Sequence, residues 1–303
     1  MKVRSLLFVG AFLSLVSVST VAAAQGYRMW RPEEQEDRIG AQIDWLNTGN
    51  PQGNNNNIVT FDLFAQVEFN PTLFAVADVP MAVVSPPPDA AQFVFGNPLL
   101  GLQWADGIVS HLSLFIGAQI AIPVNANPAL DRFVAAERAG SIRAYEGLAR
   151  FSPRSLPIVI RTGTRLIFAP FYVRIEATPT IFAPLSPNAE ALKLPPVGEE
   201  FGVRSDFGLQ NGATVVMLDQ INEFGLRADF GLYGGFRLQE NFVLTGADDF
   251  LQFGLEPFIG YEPEKKGFIG RLSFLMGLDS QAGFAFDTGK VRTARLMLGY
   301  KFF

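Results

Sequence analysis

The single histidine of the chain stands two residues before a serine, in His111-Leu112-Ser113, the minimum from which a Ser–His nucleophile could be built. Such a pair needs a third group to orient the imidazole and a donor for the developing oxyanion. If Leu112 and Leu114 share one face of a strand, His111 and Ser113 share the other, and their surroundings offer neither helper. They are read as inward-facing, hydrogen-bonded polar residues, and no enzyme is expected. Metal chemistry lacks donors: the chain has no cysteine and one histidine, and Asp248-Asp249 reads as a solvated loop. No phosphate-binding helix follows the glycines of Gly231-Leu232-Tyr233-Gly234-Gly235, so no nucleotide or other cofactor is expected. What remains is a set of charges at alternating positions: Arg161, Arg165, Arg174, Arg204, Asp206, Arg227, Asp229 and Glu256. Brought to one surface, they could draw in a small anion or pair among themselves as an ion network.

Strands must hold those charges. In Ile58 to Asn70, the residues Phe61, Leu63, Ala65, Val67 and Phe69 alternate with Thr60, Asp62, Phe64, Gln66, Glu68 and Asn70, and period two means strand. Similar runs fall at about 38–48, 58–70, 73–84, 93–105, 110–122, 157–168, 171–182, 199–210, 223–238, 250–261, 267–279 and 291–303. Each is near the roughly 9–11 residues with which a tilted strand crosses a bilayer. Pro80, Pro98, Pro179 and Pro257 interrupt the runs and each removes a ladder donor. Connections alternate between short, as at Pro71-Thr72 and Ala169-Pro170, and long; Asn211 to Asn222 alone breaks the rule. Within the long segment 123–156 a helix is expected from Asn127, with Pro128 at its first turn and Gly140 closing it. It is expected to lie on the rim, the alternative being a plug folded into the lumen.

Of the 303 residues 49% are hydrophobic, only 17% are charged, and 29 are phenylalanine. No window after residue 24 reaches the roughly 18 apolar residues of a spanning helix. Residues 1–24 read as a signal peptide: Lys2 and Arg4, an apolar run from Leu6 to Val21, then Ala22-Ala23-Ala24. The remainder, 25–303, is read as one all-β domain. A soluble sheet would alternate in the same way strand by strand. The signal peptide, the aromatic load and the C-terminus instead favour a transmembrane antiparallel up-and-down β-barrel of about 12 strands, within a range of 10–14. Its apolar face, with Trp45, Trp104, Tyr261 and Tyr300 in the girdles, meets lipid, and its charges face the lumen. Thirteen phenylalanines are expected outside, among them Phe69, Phe168, Phe201, Phe207, Phe230, Phe268 and Phe302. The mildly acidic balance, with no basic cluster, argues against nucleic acid as a partner.

The end Leu296-Met297-Leu298-Gly299-Tyr300-Lys301-Phe302-Phe303 resembles the last strand of bacterial outer-membrane β-barrel proteins. That resemblance implies a Gram-negative outer-membrane location, with outer-membrane lipid and the barrel-assembly machinery as partners. Tyr300, Phe302 and Phe303 would be the assembly signal, although Phe302 and not Phe303 takes the lipid face. Phe95-Gly96-Asn97-Pro98-Leu99-Leu100-Gly101-Leu102 is similar to a strand of a group of outer-membrane proteins linked to phenol degradation through the MetA pathway, which implies transport. Outer-membrane phospholipases also carry a His-x-Ser pair, but theirs faces lipid. Twelve strands leave room for a narrow pore only. The function expected is therefore a narrow pore or transporter for a small hydrophobic or anionic solute. The alternatives are a closed structural or surface-interaction barrel and, least favoured, a lipid-modifying enzyme.

Overall fold

A computed structural model describes residues 37–49, 55–85, 91–109, 111–124, 135–136, 139–140, 148–185, 214–245, 251–263, 266–278 and 292–302. The expected signal peptide, Arg204 and Asp206, the run 199–210 and Phe303 lie outside them. The strands are β1 (Arg38–Gly49), β2 (Asn55–Asn70), β3 (Leu73–Ser85), β4 (Gln92–Phe95), β5 (Leu99–Val109), β6 (Leu112–Ala121), β7 (Ser155–Phe168), β8 (Phe171–Pro184), β9 (Val215–Arg227), β10 (Leu232–Val243), β11 (Leu251–Tyr261), β12 (Gly267–Gly277) and β13 (Arg292–Lys301). Among the described residues, 135–136 and 139–140 are helical, and a short helix, α1, spans Leu148–Phe151. Consecutive strands pair antiparallel except β4 with β5, and β1 also pairs with β13. Both β4 and β5 pair with β3, so they form one interrupted stave of a closed barrel, with twelve staves among the described residues.

The interruption has a local cause. Pro80 on β3 has no N–H for its neighbour, while Gly96, Asn97 and Pro98 face only Val79 and Pro80 between the flanking pairs Met81–Phe95 and Asp78–Leu99. One extra residue bulges the stave. Gly96 N still donates to Pro80 O at 2.8 Å, but Asn97 N turns inward. Pro179 and Pro257 sit in unbroken strands, Pro257 outward-facing and exposed.

Burial alternates residue by residue along β3. Its inner face carries Phe74, Val76, Asp78, Ala82 and Val84, all buried. Outside, Leu63, Ile116, Leu272 and Leu298 are each at least half exposed, an apolar surface that acyl chains cover. The phenylalanines concentrate at the end with short turns. Phe69, Phe168, Phe171, Phe230 and Phe268 are 60–77% exposed there, and Phe268, Tyr300 and Phe302 pack edge to face at 5.2 and 5.1 Å. Phe201 and Phe207 lie outside the described residues.

Four expectations require correction. The run 223–238 is a hairpin, not one strand: residues 228–231 turn between β9 and β10, with Gly231 N donating to Ala228 O at 2.9 Å. Gly231 has φ +96° and lies against the Glu262 carbonyl, where a side chain would clash. Alternation passes through the turn undisturbed, which hid it. The supposed long connection Asn211 to Asn222 is largely β9, so every described turn at that end is short. His111 is exposed in the β5–β6 turn, not turned into the lumen, and its carbonyl accepts Ile167 N at 2.9 Å.

The fourth correction is the loop. Its described residues lie inside the barrel, not on the rim. Ala135, Ala136, Ala139 and Phe151 pack with Leu46, Ile58, Ala82, Val84, Val94 and Leu275. Leu148 and Ala149 pack with Leu99, Ala121, Val159, Phe182, Val215, Met217 and Val243 from the opposite wall. The upper lumen is apolar, so a segment of small and apolar residues buries more surface within it than on a wet rim.

Candidate functional site

The lumen is built in three levels. At the short-turn end the floor is aromatic and ionic. Tyr172 and Tyr233 lie flat over Gly225 and Gly260, their direct cross-strand partners. A Cβ at either glycine would collide with the tyrosine ring, so the glycines are what allow the rings to cross the wall. Tyr172 Oη donates to Glu223 Oε1 at 2.9 Å. The Arg271 guanidinium sits 3.7 Å above the Phe258 ring, and Arg38 pairs with Glu262 at 2.8 Å.

Above the floor, cross-strand register lines up charges of alternating sign. Arg174 faces Glu223, Glu223 faces Arg237, and Arg237 faces Glu256. Farther round, Ser273 faces Arg295, Arg295 faces Asp44, and Asp44 faces Thr60. Directly opposed residues have Cβ atoms about 5 Å apart, so registry alone brings these groups within reach. Glu256 is the hub: it accepts from Arg237 at 3.1 Å, from Arg295 at 2.7 Å, and from the Ser273 hydroxyl. Glu223 receives Arg271 at 2.9 Å, with Arg237 at 3.7 Å and Arg174 at 3.8 Å. Arg174 also pairs with Glu176. Asp44 holds Gln42 Nε2 at 3.0 Å and Thr60 Oγ1 at 3.2 Å, with Arg295 at 3.7 Å. All of these charged groups are buried.

The third level is where the inward loop meets the wall. Arg150 of α1 pairs with Asp62 on β2 at 2.5 Å. The Arg150 carbonyl accepts Asn97 N at 2.5 Å, and Asn97 Nδ2 donates to Ser152 O at 2.8 Å. The bulge at Pro80 therefore presents the backbone donor on which the loop docks. Nearby, Arg161 spans from β7 to Asp78 on β3 at 3.3 Å.

Of the residues singled out in the sequence, Arg161, Arg174 and Glu256 are buried in the lumen. Arg165 faces Arg174 across the β7–β8 pair near the floor. Arg227 ends β9 half-buried, its Nη2 donating to Glu262 O at 3.3 Å. Asp229 is exposed in the turn and not on a strand's inner face. Arg204 and Asp206 lie outside the described residues. Asp44, Asp78, Glu223 and Arg150 were missed. Strand parity already carried the signal for the first three; Arg150 belongs to a loop that parity does not reach. Among the described residues no group of three or more His, Asp or Glu could hold a metal.

A closed antiparallel barrel with an apolar exterior, an ionic interior and aromatic residues at its short-turn end is a transmembrane β-barrel of the outer-membrane type. No protein-family model matches the chain, and no curated protein matches it in sequence. Solved structures share its fold. The COG4313 outer membrane channel from Pseudomonas putida F1 is similar at 11% identity and a TM-score of 0.58, over 90% of this chain and 100% of that one. The NanC porin is similar at 5% identity and a TM-score of 0.50, over 88% of this chain and 99% of that one. At such identities the likeness is one of fold.

Proposed function

We propose that the chain, cleaved after residue 24, is an outer-membrane pore for a small anionic or hydrophobic solute, closed at rest by the loop between β6 and β7. The observation that carries this reading is the layer of buried ions between the floor and the docked loop. A barrel needing only a filled interior gains nothing from it, because apolar side chains of equal volume stabilise at least as well as buried ion pairs. Fixed charges of both signs suit a path that water and a polar solute enter when the loop leaves. The apolar upper level suits a solute with an apolar body. Arg161, Arg165, Arg174, Arg227 and Glu256 are the residues we assign to that path, with Arg204 and Asp206 proposed on parity alone.

Planar-bilayer recording of the purified protein tests the reading. Conductance steps are expected, and Arg227→Ala should reduce anion passage. A silent wild type, together with a silent variant whose loop is undocked, would refute it. The second reading, a closed barrel with a structural or surface role, is favoured by the burial of inward side chains along the described staves and predicts that silence. Tyr300, Phe302 and Phe303 remain our proposed signal to the assembly machinery, with lipid against the outer face. A lipid-modifying activity is not proposed, since His111 lies exposed in a turn.

A further inference from the structure

We propose that the lipid-facing surface of β9 and β10 joins two copies of this barrel side by side in the membrane. The outward positions of these strands alternate with buried inward residues such as Glu223 and Arg237. They include Gln220, Asn222 and Glu240, each partly exposed. Among the described residues these three side chains make no hydrogen bond or ion pair. Along β10, Phe236 below Glu240 is 43% exposed and Leu244 above it 57%, so the carboxyl lies within the apolar band. Acyl chains offer it no donor and offer the two amides no partner, and a charge on the lipid face is costly according to its depth. Polar groups in such a surface hold proteins together where a second surface complements them.

That second surface is another copy, because the row is complementary to itself. Gln220 faces Glu240 across the β9–β10 pair. Ala177 on β8 faces Gln220, and Phe253 on β11 faces Glu240. The outer wall therefore reads Ala177, Gln220, Glu240, Phe253 from β8 to β11. A two-fold axis along the membrane normal, passing between β9 and β10, sets β9 of one copy against β10 of the other and β8 against β11. Each Gln220 amide then donates to Glu240 of the second copy, and each Ala177 leaves room for the ring of Phe253. Such reciprocity is what an isologous interface requires. Asn222, one outward position below Gln220, brings a second amide donor to the same carboxylate. A phosphate-bearing lipid headgroup suits the patch less, since it would meet the Glu240 carboxylate.

The interface needs only a membrane-spanning barrel and is independent of the pore reading. Energy transfer between donor- and acceptor-labelled barrels, serially diluted in phosphatidylcholine vesicles, reads the association. Wild type is expected to dimerise reversibly. Glu240→Leu and Gln220→Leu should each weaken the dimer about tenfold, the cost of two symmetry-related hydrogen bonds in a membrane. Both put an apolar residue on the lipid face, so both should fold at least as well as wild type. Gln220→Glu alone sets carboxyl against carboxyl and should abolish the dimer. Gln220→Glu combined with Glu240→Gln exchanges the two groups across the axis and should restore it. Wild-type transfer no greater than random encounter, transfer unchanged in Gln220→Glu, or an exchanged double variant as monomeric as Gln220→Glu would overturn the interface. A monomeric wild type that retains a lipid lost in Glu240→Leu, read by native mass spectrometry, overturns it too and assigns the patch to lipid.

Discussion

Asp62→Asn should release the inward loop. Arg150 and Asp62 meet at 2.5 Å with both side chains about 2% exposed. Removing one partner of a buried ion pair costs about 3–5 kcal/mol, because the other charge stays buried without compensation. The other terms at α1 nearly cancel. Burial of Leu148 and Phe151 contributes about 3–6 kcal/mol, and the two Asn97 hydrogen bonds about 2 kcal/mol net. Ordering the four residues of α1 costs about 4–8 kcal/mol. The ion pair therefore decides whether α1 is docked, and its loss should raise the undocked population by roughly two to four orders of magnitude. Two assays read this directly: open probability in planar bilayers, and the rate of protease cleavage within 123–156 in vesicle-embedded protein. Asp62→Leu combined with Arg150→Met should return both towards wild type, since an apolar pair leaves no buried charge behind. The reasoning fails if Asp62→Asn matches wild type in both assays, or if the double variant is more open than either single variant.

Other substitutions probe the remaining levels. Gly260→Val should clash with the Tyr233 ring and cost about 1–3 kcal/mol, seen as a lower temperature for losing the compact band in semi-native electrophoresis. Glu256→Gln removes the hub charge beneath Arg237, Arg295 and Ser273; it should destabilise the barrel by about 3–5 kcal/mol in urea titration and shift the reversal potential towards anions. Leu272→Arg, on the lipid face midway along β12, should cost about 2–4 kcal/mol when the protein folds into vesicles. Phe268→Arg, near the bilayer edge, should cost no more than about 1 kcal/mol.

Strand identity and facing were legible because each depends on one residue type at a time. A period of two assigns Asp62, Arg161, Arg174 and Glu256 to one side whatever their partners are. Partnership was not legible, because it depends on register, and register is set by turns that composition disguises. Residues 228–231 continue the alternation of Phe224 to Leu238, so one turn passed as strand, Asp229 was placed in the wall, and Glu223 lost its place between Arg174 and Arg237. The loop failed for another reason. Its docked position depends on the apolar upper lumen, which exists only once Leu46, Val84, Met217 and Leu275, far apart in sequence, face one another.

Pro80 and Pro98 looked like flaws in two separate strands, yet they meet at one bulge. Neither can donate to a ladder, so the wall yields there, and Asn97 is freed to hold the loop through its N–H and its amide. Asp62, which faces Pro80 across the β2–β3 pair, reaches the same loop from the other side through Arg150. Backbone and side-chain docking thus arise from neighbouring positions on three adjacent staves. A substitution that restored the ladder, such as Pro80→Val, would give β3 a donor to compete for the partners of the bulged segment. The bulge is therefore better understood as the loop's seat than as a defect in the wall, and stabilising that wall locally should loosen the closure.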